Sequence, residues 1–235
     1  QRRFRYIPMG TAEGIHGDMR ARCGADNAAF LDGSEMLTVA FEGCEHHLCP
    51  AGDLPVPGPH NIANALMAAS ACIALGVPDE AIAAGLRTFA LLPHRLEPCG
   101  EMAGVGFVND SKATNVDGTL KALESFPGRR LVGVLGGDDK DTDLTELVAC
   151  THRRAAAAVC FGAAGPRFFE AFQAQPAPDG FRCLRAGLLE EALDAAIGLA
   201  EPGDIVLLSP ACASWGMFRN YEERGKIFKE LVKRL

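Results

Sequence analysis

The sequence contains no run of lysine and arginine long enough to coat a phosphate backbone. Its 23 basic residues are outnumbered by 30 acidic ones, for a formal net charge of −7, so no nucleic-acid partner is expected. Long apolar runs are missing as well. The most apolar helical stretch, residues 62–77, is interrupted by Asn64 and Ser70 and is too short to cross a bilayer. The opening Gln1-Arg2-Arg3-Phe4-Arg5 is not followed by the apolar core of a secretory leader. A disulfide framework is also absent. The nine cysteines are odd in number and scattered, and Cys72, Cys160 and Cys183 sit inside apolar segments where a thiol acts as a small hydrophobe. These absences read as a soluble, reduced, cytoplasmic protein. The stretch Cys44-Glu45-His46-His47-Leu48-Cys49 collects potential zinc ligands, but its spacing matches no common ligand pattern and no metal site is assigned. There is no internal repeat and no low-complexity segment.

What is present is an ordinary globular composition, 48% hydrophobic and 23% charged over 235 residues, enough for one or two domains. The first fifty residues alternate short apolar and polar pieces (FRYIPMG, MRARCG, AAFLDG, EMLTVAFEG) and predict small antiparallel strands, with Asp32-Gly33 as a hairpin turn. AGDLPVPGPH breaks regular structure. HNIANALMAASACIAL then predicts a helix with Ile62, Leu66, Ala69 and Ile73 on one stripe, ended by Gly76. PDEAIAAGLRTF predicts a second helix, opened by Pro78 and early acids. LLPHRLEP reads as a linker, which puts a domain boundary near Leu96 and divides the chain into 1–96 and 97–235.

Beyond that boundary strands and helices alternate. VGFVND, RRLVGVLGG, AAAVCFG and DIVLLSP read as strands, separated by helical segments and closed by the helix MFRNYEERGKIFKELVKRL. The expected class is α/β, a mostly parallel, Rossmann-like sheet with helices on both faces. In such sheets the loops after the carboxyl ends of strands carry the ligand site. Three loops stand there: NDSKATN, GGDDKDTD and SPACASWG. In the first, Thr114 followed by Asp117 resembles a capping box, which accounts for those two residues but not for Asp110 and Lys112. In the second, Gly136-Gly137 lets backbone amides approach a ligand and Lys140 offers a positive charge; a plain turn with a solvated charge cluster is the alternative. In the third, small residues before a helix suit a carboxylate or phosphate, or simply close packing. Arg95, at the boundary, suits an anion or a base, or an ordinary surface position.

LPHRLE, NDSKATN, GGDDK and SPACAS followed by FRNYEERG, in this order, closely resemble the Mur ligase family. The continuation Ser-Lys-Ala-Thr-Asn after Asp110 resembles the D-glutamate-adding branch rather than the branches that add L-alanine, a diamino acid or a dipeptide. The likeness covers about residues 58–233, with HNIANAL similar to the family's equivalent helix. It implies that residues 1–96 are the tail of a central ATP-binding domain and 97–235 the amino-acid-binding domain. It implies an ATP-dependent ligase of peptidoglycan synthesis that joins D-glutamate to UDP-N-acetylmuramoyl-L-alanine through an acyl phosphate. By the same likeness Asn64, Arg95 and Asp110 contact ATP, with Asp110 on the ribose. Lys112, Thr114, Lys140 and Ser214, with the backbone near Tyr221, hold D-glutamate and the reacting groups, Lys112 and Thr114 being the expected catalytic pair. Tyr221 is a conservative variation on the family's phenylalanine.

The family also implies parts that this sequence does not contain. A glycine-rich phosphate loop ending in Gly-Lys-Ser/Thr is absent, and GGDDKDT has neither its spacing nor its ending. That loop, the uridine-nucleotide domain and the magnesium ligands are expected upstream of Gln1, so the chain reads as a fragment that does not catalyse ligation alone. The alternatives are a non-catalytic module that binds nucleotide or amino acid, and a Mur-type ligase with another acceptor.

Overall fold

The structure, a computed structural model, describes residues 6–9, 16, 20, 26–55, 58–90, 92–139 and 141–235. The chain divides into two compact units, Gln1–Leu91 and Leu92–Leu235.

The first unit is built on three antiparallel strands, β1 (Ala28–Leu31), β2 (Met36–Phe41) and β3 (Cys44–Pro50), in that spatial order. The Asp32 carboxylate shapes the first hairpin: its Oδ1 accepts from the backbone amides of Ser34 and Met36, an aspartate turn. A 3₁₀ turn at Ala51–Asp53 leads to helix α1 (Pro59–Ala74) and then α2 (Asp79–Thr88). Leu66, Ala69 and Ile73 of the predicted stripe are buried against Leu31, Leu37 and Val39, with Ile62 partly buried beside them. Gly76 ends α1 in the left-handed region, at φ 77°. The strands expected from FRYIPMG and MRARCG fall mostly outside the described residues.

The second unit alternates as the sequence predicts, with two additions. Its elements are β4 (Glu97–Met102), β5 (Val105–Asn109), α3 (Val116–Glu124), β6 (Leu131–Gly136), α4 (Thr145–Arg154), β7 (Ala155–Phe161), α5 (Gly165–Ala174), β8 (Arg182–Ala186), α6 (Leu189–Leu199), β9 (Ile205–Leu208) and α7 (Tyr221–Val232). The strand order is β4-β5-β9-β6-β7-β8, all parallel except β4, which pairs antiparallel with β5. Residues alternate between the two faces. Val108, Leu131, Leu135, Ile205 and Leu207 meet Leu123, Leu147 and Phe168 on one side, while Phe107, Val132, Val134, Val206 and Leu208 meet Leu193, Ala196 and Phe228 on the other. Each large apolar side chain so buried contributes about 1.5–3 kcal/mol.

Strand β4 takes in Glu97 and Pro98, read from sequence as the end of a linker, and four following residues that the sequence left unassigned. EPCGEM shows no apolar alternation because it is an edge strand, where Pro98 costs no ladder bond and the register shifts between Pro98 and Gly100. The closing helix begins at Tyr221 rather than Met217, since the Asn220 side chain caps it by accepting from the Glu223 amide.

Candidate functional site

The three polar loops follow β5, β6 and β9, and because β9 lies between β5 and β6 they emerge side by side. Backbone bonds join them: Gly136 N donates to Pro210 O and Asp138 N to Ala213 O. Beside the first loop lies a cleft of about 300 Å³ whose lining includes Arg95, Asp110, Lys112, Thr114, Asn115 and Lys121. Four of the residues singled out from sequence, Arg95, Asp110, Lys112 and Thr114, therefore share one cavity.

Asp110 is 5% exposed. Its Oδ1 accepts from Leu96 N at 3.2 Å and its Oδ2 from Ser209 Oγ at 2.8 Å, so it ties the LPHRLE turn to the third loop. Burial outweighs these hydrogen bonds and the nearby Arg95 charge, and pushes its pKa up to about 6. Thr119 on α3 donates to Ser209 O at 3.1 Å and fixes the same junction.

The LPHRLE turn is shaped by two left-handed residues that are not glycine, His94 (φ 67°) and Leu96 (φ 46°). The turn aims the His94 carbonyl at Lys112 N, 3.0 Å away. The His94 ring meets Tyr221 edge-on and its Nδ1 accepts from Asn109 Nδ2 at 3.1 Å, which fits a neutral imidazole. Burial first, then the Lys229 charge, holds its pKa below the usual histidine range, while Glu97 pulls the other way. Asn109 is fully buried, donates to Glu97 as well and accepts from Ser111 N, so both ends of its amide are used. Above this scaffold the Lys112 ammonium lies 4.0 Å from the centre of the Tyr221 ring, a cation–π contact that leaves the lysine at the cleft.

Arg224 lies in the FRNYEERG motif but takes no role from the sequence, because an arginine in a charged amphipathic helix looks solvated. It is fully buried. Its Nη2 donates to Ser111 O at 2.9 Å and Cys212 O at 3.1 Å, and its Nη1 to Ala213 O at 3.2 Å. Burial lowers its pKa to about 10.

The structure corrects three local readings. Asn115, not Thr114, caps α3, its Oδ1 accepting from Gly118 N at 2.9 Å. Thr114 is thereby released from capping and lines the cleft. Gly136 and Gly137 serve close packing rather than approach to a ligand: a Cβ on Gly136 would lie 2.1 Å from Phe161 O, and one on Gly137 2.5 Å from Ala213 O. In the third loop the Ser209 hydroxyl is spent on Asp110, and the loop stops short of α7, so it does not form a helix start. Ser214 is buried in that loop, and Asn64 is exposed on α1 of the first unit. Lys140 lies outside the described residues. Among the described residues no group of three or more His, Cys, Asp and Glu side chains is placed to hold a metal ion, and none forms a helix long and apolar enough to cross a membrane.

Comparison with known families decides the lineage of this loop cluster. The family model described as Mur ligase, glutamate ligase domain matches residues 94–212, just over half of the chain. The chain belongs to the Mur ligase family. Among curated Mur ligases it is 42% identical over 198 residues to the UDP-N-acetylmuramoylalanine–D-glutamate ligase of Pelotomaculum thermopropionicum, covering 84% of this chain and 42% of that protein. It is 45% identical over 202 residues to the enzyme of the same name from Thiobacillus denitrificans, covering 83% of this chain and 42% of that one. The chain thus spans less than half the length of these relatives. The fold recurs in a solved pseudomurein peptide ligase type C of Methanothermus fervidus (TM-score 0.63, 20% identity, 89% of this chain and 42% of that one). It recurs too in the folylpolyglutamate synthase of Mycobacterium tuberculosis (TM-score 0.61, 20% identity, 90% and 50%). At that identity the two structures speak for the fold alone.

Proposed function

We propose that this chain is part of a D-glutamate-adding Mur ligase, with residues 1–96 the tail of its ATP-binding domain and 97–235 its amino-acid-binding domain. The observation that carries the reading is the cleft, where Arg95 and Asp110 adjoin Lys112 and Thr114, in a chain whose relatives bear that enzyme's name. In this reading Arg95 and Asp110, with Asn64, bind ATP, Asp110 accepting from the ribose. ATP phosphorylates the carboxylate of UDP-N-acetylmuramoyl-L-alanine and leaves as ADP. The D-glutamate amine then attacks the acyl carbon, and phosphate departs. Lys112, Thr114, Lys140 and Ser214, with the Tyr221 region, hold the acceptor. Each charge-assisted hydrogen bond to its two carboxylates contributes about 1.5–3 kcal/mol, and holding the amine at the acyl phosphate recovers entropy otherwise lost in a bimolecular step. Among the described residues no three His, Cys, Asp or Glu side chains gather to hold a metal ion, and the reading assigns magnesium, like the phosphate loop, to residues upstream. It assigns the reaction to the bacterial cytoplasm.

The test is phosphate release with ATP, magnesium, UDP-N-acetylmuramoyl-L-alanine and D-glutamate, for this chain and for the same gene extended upstream. The expected result is no release by this chain and D-glutamate-dependent release by the extended protein. Turnover by the chain alone would refute the assignment of the ATP phosphates to upstream residues. Silence in both would favour a binding module without chemistry, and a preference for another amino acid would favour a sister ligase.

A further inference from the structure

A buried cation ordinarily pairs with a carboxylate, because an isolated charge in a dry interior is costly. Among the described residues Arg224 has none. Its guanidinium is fully buried, and its partners are three backbone carbonyls. Those carbonyls belong to Ser111, directly before Lys112, and to Cys212 and Ala213, directly before Ser214. The second loop closes on the same fork, since a Cβ added to Gly137 would come within 3.0 Å of Arg224 Nη1. Gly225, the next residue, sits so close to the first loop that a Cβ there would lie 2.2 Å from Ser111 Oγ. One turn earlier on α7, Tyr221 carries the Lys112 ammonium over its ring. The first turn of α7 therefore constrains Lys112 twice, at its head group and at the backbone that leads to it.

We infer that Arg224 is a positioning residue for acceptor recognition: its planar fork fixes the spacing between Lys112 and Ser214, and that spacing selects the arrangement of carboxylates on the incoming amino acid. The inference rests on the ligase reading above. A guanidinium offers donors in rigid directions to carbonyls on two loops, whereas the single ammonium of lysine keeps the charge and loses the fork. The role is geometric, so charge alone does not supply it.

Steady-state kinetics on the upstream-extended protein test this with Arg224→Lys. The expected result is a KM for D-glutamate raised about tenfold or more, with KM for ATP changed less than about threefold, and weaker discrimination between D- and L-glutamate. Phe168→Leu, in the core on the opposite face from α7, serves as a control for general loosening, and its lower Tm leaves both KM values near wild type. Ala213→Gly loosens the third loop's side of the fork without removing the buried cation, and raises the D-glutamate KM about two- to threefold even if Arg224→Lys does not fold. An unchanged D-glutamate KM in the folded variants overturns the inference, as does an equal rise for ATP and D-glutamate. A wild-type extended protein without D-glutamate-dependent phosphate release overturns the ligase reading instead.

Discussion

Two stretches of this chain look alike in composition. Residues 44–49 on β3 and residues 109–115 at the end of β5 and just past it each crowd polar and charged side chains into six or seven positions. On β3, Cys44, Glu45 and His47 are exposed, and His46 pairs with Asp79 at 2.8 Å near the surface. Such pairs are worth about 0–1 kcal/mol because water competes for both partners. In the second stretch, Asn109, Asp110 and Ser111 are buried, and their partners come from the LPHRLE turn, the third loop and α7. Lys112 alone of the first four is exposed, held out by buried neighbours on either side. The difference teaches where to look for a site. A polar cluster marks one when elements distant in sequence must converge to satisfy it.

The largest break in this comparison comes from the glycines that allow the convergence. Gly136→Ala places a Cβ 2.1 Å from Phe161 O at a backbone φ of 124°, and the expected loss exceeds about 4 kcal/mol, enough to abolish cooperative unfolding of the second unit. Gly33→Ala, in the β1–β2 hairpin, meets nothing within 4 Å and is expected to change stability by less than about 1 kcal/mol. Denaturant unfolding followed by circular dichroism reads both. Equal effects would mean that loop convergence does not depend on close backbone approach.

The next effect separates the buried loop after β5 from the exposed β1–β2 hairpin by sign. Burial holds the Asp110 pKa at about 6, against 3.8 for a free aspartate, so the folded state binds the extra proton between those values. Stability therefore falls as pH rises through that window, by up to about 3 kcal/mol, and the cost persists above it. Asp110→Asn removes this slope. Asp32 has the opposite sign: hydrogen bonds from the Ser34 side chain and backbone lower its pKa. Its stabilisation is present above the unfolded value and is lost as pH falls through the folded one. Unfolding free energies from pH 4 to 8, wild type against Asp110→Asn, check the difference. Parallel profiles would show that Asp110 does not titrate in this range.

Much of this was legible in sequence for physical reasons. The strand–helix alternation from Val105 onward and the Leu66, Ala69, Ile73 stripe follow from apolar periodicity, which burial enforces. The loops after β5, β6 and β9 stand out because small and polar residues there exceed what a connector requires. The edge strands β4 and β8 were missed because edges bury only part of their side chains and so lose the apolar signal. The residues that build the site from behind (His94, Asn109, Ser209 and Arg224 inside the motifs, Thr119 outside them) take no role from the sequence for a different reason. Their partners are up to 113 residues away, and no local pattern separates an arginine that will be buried from one that will be solvated.

The smallest effect concerns the exposed member of the cluster. Among the described residues no carboxylate pairs with Lys112, and its ammonium rests 4.0 Å from the centre of the Tyr221 ring. A cation–π contact at an accessible site is worth about 0.5–1 kcal/mol, so under the proposed ligase reading Tyr221→Leu is expected to weaken D-glutamate binding about two- to fivefold. Tyr221→Phe keeps the ring face and loses only a hydroxyl that donates to exposed Glu222 at 3.1 Å, so it binds as wild type does. Titration followed by fluorescence of Trp215, the chain's single tryptophan, exposed beside Ser214 in the third loop, reads the series. If Tyr221→Phe weakens binding as much as Tyr221→Leu, the hydroxyl rather than the ring orients Lys112. If neither variant weakens it, Lys112 takes its position from the His94 carbonyl and the Arg224 fork alone.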